Sequence, residues 1–300
     1  MISTNWAFDT YESLRADLPR ADFPQEMRSG HDLGDTAQDY DAYVLDAFGV
    51  LNRGETAIPG AVERMAALRE QGKRLVVLTN AASYRRADIL AKYHRLGFDF
   101  APSEVVSSRD VAFSALPKLP DGKVWAAAAA DGDDFSDAPE AARIAKLADD
   151  PGLLRTAGGF LLLSSERWSE TETAALTDAL LRDPRPLIVA NPDLVAPREK
   201  GLTVEPGLIA HRITGRTGVK AVFFGKPFGN AFEAALARLD GIPLHRIAMV
   251  GDTLHTDVLG GAAAGIGTIL ITDNGLFRGH EIAPYITRCA IRPNWIIATT

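Results

Sequence analysis

Cysteine is almost absent from this chain of 300 residues: Cys289 is the only one. A lone thiol excludes an intrachain disulfide and a zinc site built on several cysteines, and it fits a reducing compartment. Cys289 itself reads as an inert, partly buried residue. Long apolar runs are lacking too. The longest, such as Val124–Ala130 and Phe160–Leu163, fall far short of the roughly 20 residues a helix needs to cross a bilayer. No block of lysine and arginine stands out, the net charge is −7 and the pI is about 5.4. Neither a nucleic-acid partner nor a membrane is therefore expected. The opening stretch MISTNWAFDTYESLRADLPR is acidic and has no apolar h-region, so it does not read as a secretory signal, and cytoplasm is the expected location.

What is present is enough for a folded protein. Hydrophobic residues make up 46% and charged residues 24%, so a core of this size can be buried without disulfides or a structural metal. Residues 1–40 are polar, with turn formers at Ser29-Gly30, Asp32 and Gly34-Asp35. They read as an extension with one short helix near Tyr11–Leu18 and carry no chemical motif.

From Tyr43 the pattern changes. Tyr43-Val44-Leu45 is an apolar run ending at Asp46, and Val62, Met65, Ala66 and Leu68 follow at helical spacing up to Gln71-Gly72. Arg74–Leu78 is a second run, and Ile89, Leu90, Tyr93 and Leu96 mark a helix closed by Gly97. Buried strands that do not alternate, separated by helices, predict a parallel sheet covered on both faces. The middle repeats the theme. Val124–Ala130, Gly159–Leu163 and Leu187–Ala190 read as strands, and Pro139–Leu147 and Thr171–Leu181 as helices. Further on come a helix at Gly207–Thr214, a strand at Val219–Phe224, a helix at Ala231–Leu239 and strands at Ile247–Val250 and Thr268–Ile271. The expected fold is α/β: a Rossmann-like, doubly wound parallel-sheet core of residues 1–102 and 206–300, with an inserted α/β domain of residues 103–205.

Four apolar runs end in polar residues: Asp46, Thr79-Asn80, Lys226, and Asp252 with Asp257. Singly each could be a helix cap or a turn. Jointly they predict one site, because ligands of open parallel sheets bind at the carboxyl ends of strands. The set also makes chemical sense. Two or three carboxylates suit one hard cation such as Mg²⁺, which neutralises a phosphate dianion. Lys226 can bind phosphate and hold Asp46 ionised. Thr79, Asn80 and the amide of Ala81 can donate to non-bridging phosphate oxygens. A carboxylate nucleophile would form an aspartyl-phosphate that water hydrolyses.

The segments Asp46-Ala-Phe-Gly-Val-Leu, Val77-Leu-Thr-Asn80, Gly225-Lys-Pro227 and Gly251-Asp-Thr-Leu-His-Thr-Asp257 resemble, in order, motifs one to four of the haloacid dehalogenase superfamily. Ala190-Asn-Pro-Asp-Leu-Val-Ala-Pro-Arg198 is similar to a segment of its class IIA branch, the p-nitrophenylphosphatase-like and sugar- or nucleotide-phosphatase-like hydrolases. The resemblance covers roughly residues 40–300. It implies a cap domain between motifs two and three, Mg²⁺ as cofactor, a small phosphorylated substrate and, as often in the family, a homodimer formed through the caps. Position by position it implies Asp46 as nucleophile and metal ligand and Thr79, Asn80 and Ala81 as phosphate binders. Lys226 would stabilise the nucleophile and the phosphoryl group. Asp252 would ligate the metal, with Asp257 supporting it. Asn191 and Asp193 would face the substrate from the cap or form a structural turn.

One position departs from the pattern. The family's phosphatases carry a second Asp two residues after the nucleophile, which protonates the leaving oxygen; here it is Phe48. Only its backbone carbonyl can still serve the metal. Losing a positioned general acid typically costs about 10²–10⁴ in rate, so weak phosphatase activity is expected. Two rivals follow. One is a non-catalytic phosphate sensor on the same fold. The other is a dehalogenase, although only 32 residues lie between Asp46 and Thr79, too few for the cap such enzymes insert there. His255, inside the fourth motif, is a further candidate for the missing acid.

Overall fold

A computed structural model describes residues 2–198 and 201–300. Seven parallel strands form the larger sheet, in the order Arg28–Asp32, Trp295–Thr299, Gly267–Ile271, Ile247–Gly251, Ala42–Leu45, Arg74–Thr79 and Val105–Ser107. Ala42–Leu45 and Ile247–Gly251 are buried at every residue, as a strand covered on both faces must be. From Ala42–Leu45 the chain builds outward to one edge. From Ile247–Gly251 it builds toward the other. The order therefore reverses between these two neighbours, which is where such a sheet opens a crevice.

Helices cover the sheet by the expected periodicity. Ala61–Glu70 buries Ala61, Met65 and Leu68, one face at i, i+4 and i+7; burying side chains such as the last two contributes roughly 1.5–3 kcal/mol each. Ser108–Ser114 starts at a capping box in which Ser107 accepts from the Asp110 amide and Asp110 from the Ser107 amide, satisfying two otherwise orphaned donors.

The second sheet has five parallel strands, in the order Ala221–Phe223, Leu187–Val189, Gly159–Leu162, Trp125–Ala128 and Ile144–Lys146. It corrects several expectations. Ala221–Phe223, assigned above to the core, pairs with Leu187–Val189, and the helix Pro206–Thr217 buries Ile209, Ala210 and Ile213 against Leu176, Leu180 and Val189 of the same layer. Conversely, Val105–Ser107, assigned to the insert, pairs with Arg74–Thr79. An apolar run does not encode which sheet it will join; that depends on contacts distant in sequence. Pro139–Leu147 is not a helix but turns followed by the edge strand Ile144–Lys146. Its alanines supply helix propensity, which is a weak bias that strand pairing overrides.

Residues 1–40 also do more than extend the chain. Arg28–Asp32 is an edge strand of the larger sheet. The helix lies at Thr4–Ser13, earlier than expected, and buries Ala7, Phe8 and Tyr11. Those side chains share an apolar cluster with Leu254, Leu276 and Tyr285 of the core layer and with Leu194 and Val195.

The two layers share a buried apolar cluster that includes Val76 and Leu78 on one side and Trp125 and Leu161 on the other, and they are also joined by charge. Arg109, with no exposed surface, donates to Asp133 at 2.5 and 2.9 Å, to Asp137 at 2.7 and 2.9 Å, and to the Ala82 carbonyl at 3.2 Å. Arg85 adds a bond to Asp134. The loop after Trp125–Ala128 is thus tied to the loop that follows Thr79-Asn80.

Candidate active site

Each floor residue arrives at the crevice from a strand end. Asp46 directly follows Ala42–Leu45, Thr79 closes Arg74–Thr79, and Asp252 follows Ile247–Gly251. After Asp252 the chain makes a single π-turn, Leu254–Val258, a local widening common at functional sites. The turn carries Asp257 back so that its carboxylate accepts from the Thr253 amide at 3.0 Å. Room for these carboxylates comes from two glycines. A Cβ on Gly251 would overlap the Asp257 carboxylate, and one on Gly275 would overlap that of Asp252. Lys226 differs from the sequence expectation. It follows not a core strand but the segment by which the chain leaves the second sheet.

The geometry is dense. Lys226 Nζ lies 2.5 Å from Asp46 Oδ1 and 2.7 Å from Asp257 Oδ1. Asp252 accepts from Thr253 Oγ1 at 3.0 Å and from the Leu276 amide at 2.7 Å. Asn80 is spent on positioning: its Oδ1 accepts from the Lys226 amide at 2.7 Å, and its Nδ2 donates to the Lys226 carbonyl at 2.9 Å and to Asp193 at 2.8 Å. The Ala81 amide donates to Thr79 Oγ1 at 3.2 Å. From above, Asn191 accepts from the Asp193 amide and donates to Glu205.

Ligand atoms of Asp46, Asp252 and Asp257 lie within 4.8 Å of one another, all buried. With Asp193 they make four carboxylates against the one ammonium of Lys226. Burial pushes the Asp46 carboxyl up to about 6; Lys226 pulls it down and Asp257 up. Asp252 is held well above the usual carboxylate range by burial and by Asp257 and Asp46. Asp193 is pushed up to about 8, again first by burial, with Lys226 and Asn80 opposing. Burial works against the Lys226 ammonium, but Asp257, Asp46 and Asp193 outweigh it and hold it above its usual range. A buried surplus of oxygen ligands and negative charge is the environment a hard dication fits.

Phe48 lines the same cavity, but its ring lies under the ammonium of Lys92, 4.9 Å from Nζ. Lys92 is buried and pairs with Glu55 at 2.9 Å. His255 does not line the cavity. Its Nε2 meets Glu12 at 2.6 Å and its ring stacks on Tyr11, so the missing acid is not to be found there. The cavity, about 40 Å³, has room for roughly three or four waters at 10–15 Å³ each. Among the walls not expected from the sequence are Tyr11, Tyr84 and Glu205. The apolar spacing of Ala7, Phe8 and Tyr11 signals a packed helix, but nothing local says what it packs on.

Two family models match the chain. Residues 43–137 match the haloacid dehalogenase-like hydrolase model, and residues 223–298 match a HAD-hydrolase-like one. Glycerol-3-phosphate phosphatase of Gallus gallus is 31% identical over 291 residues, covering 88% of this chain and 92% of its own. The chain belongs to the haloacid dehalogenase-like hydrolases, in their class IIA branch. A possible sugar phosphatase of the superfamily from Cytophaga hutchinsonii is 26% identical with a TM-score of 0.79, covering 91% of this chain and 98% of that one. At 22% identity and a TM-score of 0.67, the glycerol phosphate phosphatase of Mycobacterium tuberculosis, solved in complex with magnesium, shares the fold, over 91% of this chain and 77% of that one. The Rossmann-like α/β class expected from the sequence is the one observed, and the enzyme class is that of the phosphatase hydrolases. No helix among the described residues is long and apolar enough to cross a membrane.

Proposed function

We propose that this chain is a Mg²⁺-dependent hydrolase of small phosphate monoesters that works through a phosphorylated Asp46. The reading is carried by the convergence of Asp46, Lys226, Asp252 and Asp257 on one buried crevice at the reversal point of the sheet. The cation would be held by Asp46, Asp252 and the Phe48 carbonyl, with Asp257 directly or through water. When bound it neutralises charge on the phosphoryl oxygens. The five-stranded layer serves as the cap that closes over the substrate.

One oxygen of Asp46 attacks phosphorus, the bond from phosphorus to the ester oxygen breaks, and that oxygen departs with the electron pair. Lys226, fixed by Asn80, steadies the carboxylate before attack and the phosphoryl group afterwards. Thr79 donates its hydroxyl proton to a phosphoryl oxygen, and the Ala81 amide does likewise on leaving Thr79 Oγ1. Water then attacks phosphorus and restores the Asp46 carboxylate. It releases inorganic phosphate and gives a proton to solvent. Asn191 and Asp193 bound the cavity on the leaving-group side, and its size limits substrates to small metabolites, in keeping with the names of the relatives. Phe48 supplies no proton to the leaving oxygen, so esters of acidic alcohols are favoured over alkyl esters.

The direct test is trapping: with Mg²⁺ and fluoroberyllate the mimic should sit on Asp46, and fluoroberyllate binding elsewhere overturns the reading. Phe48 also supports a second reading, a phosphate sensor without turnover. Tight phosphate binding with no hydrolysis of either aryl or alkyl esters would select it.

A further inference from the structure

The N-terminal helix brings a polar group into the site that no family motif accounts for. Tyr11 is 3% exposed and lines the cavity together with Asp46, Asn191 and Asp193. Its phenol oxygen accepts from the Leu194 amide at 3.1 Å. That uses a lone pair and leaves the one proton of the phenol to give. No described residue accepts it. A buried donor without an acceptor is costly, and the open volume it borders is the cavity where the ester must lie.

The ring is held rather than loose. It stacks on His255 with centroids 5.0 Å apart and planes 8° off parallel, and His255 is gripped by Glu12, the next residue along. The helix itself is fastened to the core layer by Thr4 to the Leu276 carbonyl at 2.9 Å, Tyr285 to Asn5 at 2.5 Å and Arg288 to Asp9 at 2.6 Å. Leu276 is the residue whose amide holds Asp252. Tyr11 is therefore indexed to the same frame as the reacting carboxylates. It meets the cavity beside Leu194, whose amide it accepts from, and Asp193, which lines the same cavity.

We propose that Tyr11 is a substrate-facing hydrogen-bond donor of this active site, its O–H meeting the ester's leaving-group oxygen and taking up part of the charge that Phe48 leaves unattended. This rests on the phosphatase reading above. Burial, with Asp193 next and Asp257 and Asp252 adding, holds the phenol well above its ordinary range, against the Leu194 amide, so the proton is retained at neutral pH. The step is a hydrogen bond that strengthens as the phosphorus–oxygen bond lengthens, and the proton stays on Tyr11 until the departing alcohol is reprotonated by solvent.

The experiment compares kcat/KM for glycerol phosphate and p-nitrophenyl phosphate in the full chain and in Tyr11→Phe, at saturating Mg²⁺. Removing a hydrogen bond to a developing charge is expected to lower the alkyl-to-aryl ratio about 10- to 100-fold, because p-nitrophenolate leaves without help. An equal loss on both esters, or no loss on either, overturns the Tyr11 assignment and leaves the phosphatase reading standing. Hydrolysis of neither ester by the natural chain, with no fluoroberyllate on Asp46, overturns both. Unfolding curves establish that Tyr11→Phe is folded. A second chain carrying 3-fluorotyrosine at residue 11 keeps the ring and strengthens the donor, so the ratio should rise; an unchanged ratio there overturns the assignment independently of Tyr11→Phe.

Discussion

The floor and the roof of the site are built differently. The floor stands on strand ends of the seven-stranded sheet, where Asp46, Thr79 and Asp252 each follow an apolar run within a residue or two. The roof is assembled from pieces far apart in the chain: Tyr11 on a helix, Asn191 and Asp193 in a turn, Glu205 at the end of a ribbon. A strand end carries its side chain to the crevice by local geometry alone. Asn191, Asp193 and Glu205 reach it only if two layers dock correctly, and Tyr11 only if its helix docks on the core layer. The floor is thus set by short-range structure, and the roof by long-range packing.

Substitutions can test that division. The largest effect is expected on the floor: Asp46→Asn should lower kcat by about 10⁴-fold or more with its unfolding midpoint kept, since an amide is a poor nucleophile. Retention of most activity would mean the floor is not where the bond breaks. Next comes Phe48→Asp, which could restore up to about 10²–10⁴ of acid help on alkyl esters. Lys92, lying against the Phe48 ring, would pair with the new carboxylate and keep it ionised, so the single variant should gain little. Phe48→Asp with Lys92→Met should gain more. If the single variant already gives the full gain, Lys92 does not govern that position.

The smallest effect is expected at the roof and concerns stability. In the metal-free protein Asp193 has its carboxyl pushed up to about 8, against about 3.9 in an unfolded chain. The folded state then binds the extra proton between these values. Its contribution is fully present below about pH 4 and is lost as pH rises through 8. Asp193→Asn should flatten the decline of the unfolding midpoint between pH 5 and 9. A decline as steep as that of the natural chain would place its cause among the floor carboxylates instead.

Legibility in the sequence follows the same line. Asp46, Thr79, Asn80, Asp252 and Asp257 could be named because each motif is contiguous and its neighbours predict a strand. Lys226 was legible as a residue but not in its setting, since Val219–Phe224 reads equally well as a strand of either sheet. The helix expected at Pro139–Leu147 failed because local propensity was the only signal, and the pairing of Ile144 with Trp125 outweighed it. Tyr11 was illegible for another reason. Its role depends on His255 and Leu194, both more than 180 residues away.

The joint at Arg109 bears on motion as well as architecture. A swing of the two layers would part the Arg109 guanidinium, which has no exposed surface, from Asp133 and Asp137; water would then solvate the freed charges, so the pairs set the register of the layers rather than forbid their parting. Ser83, Tyr84 and Glu205 border both the site cavity and a wider cleft that also takes in Ser165.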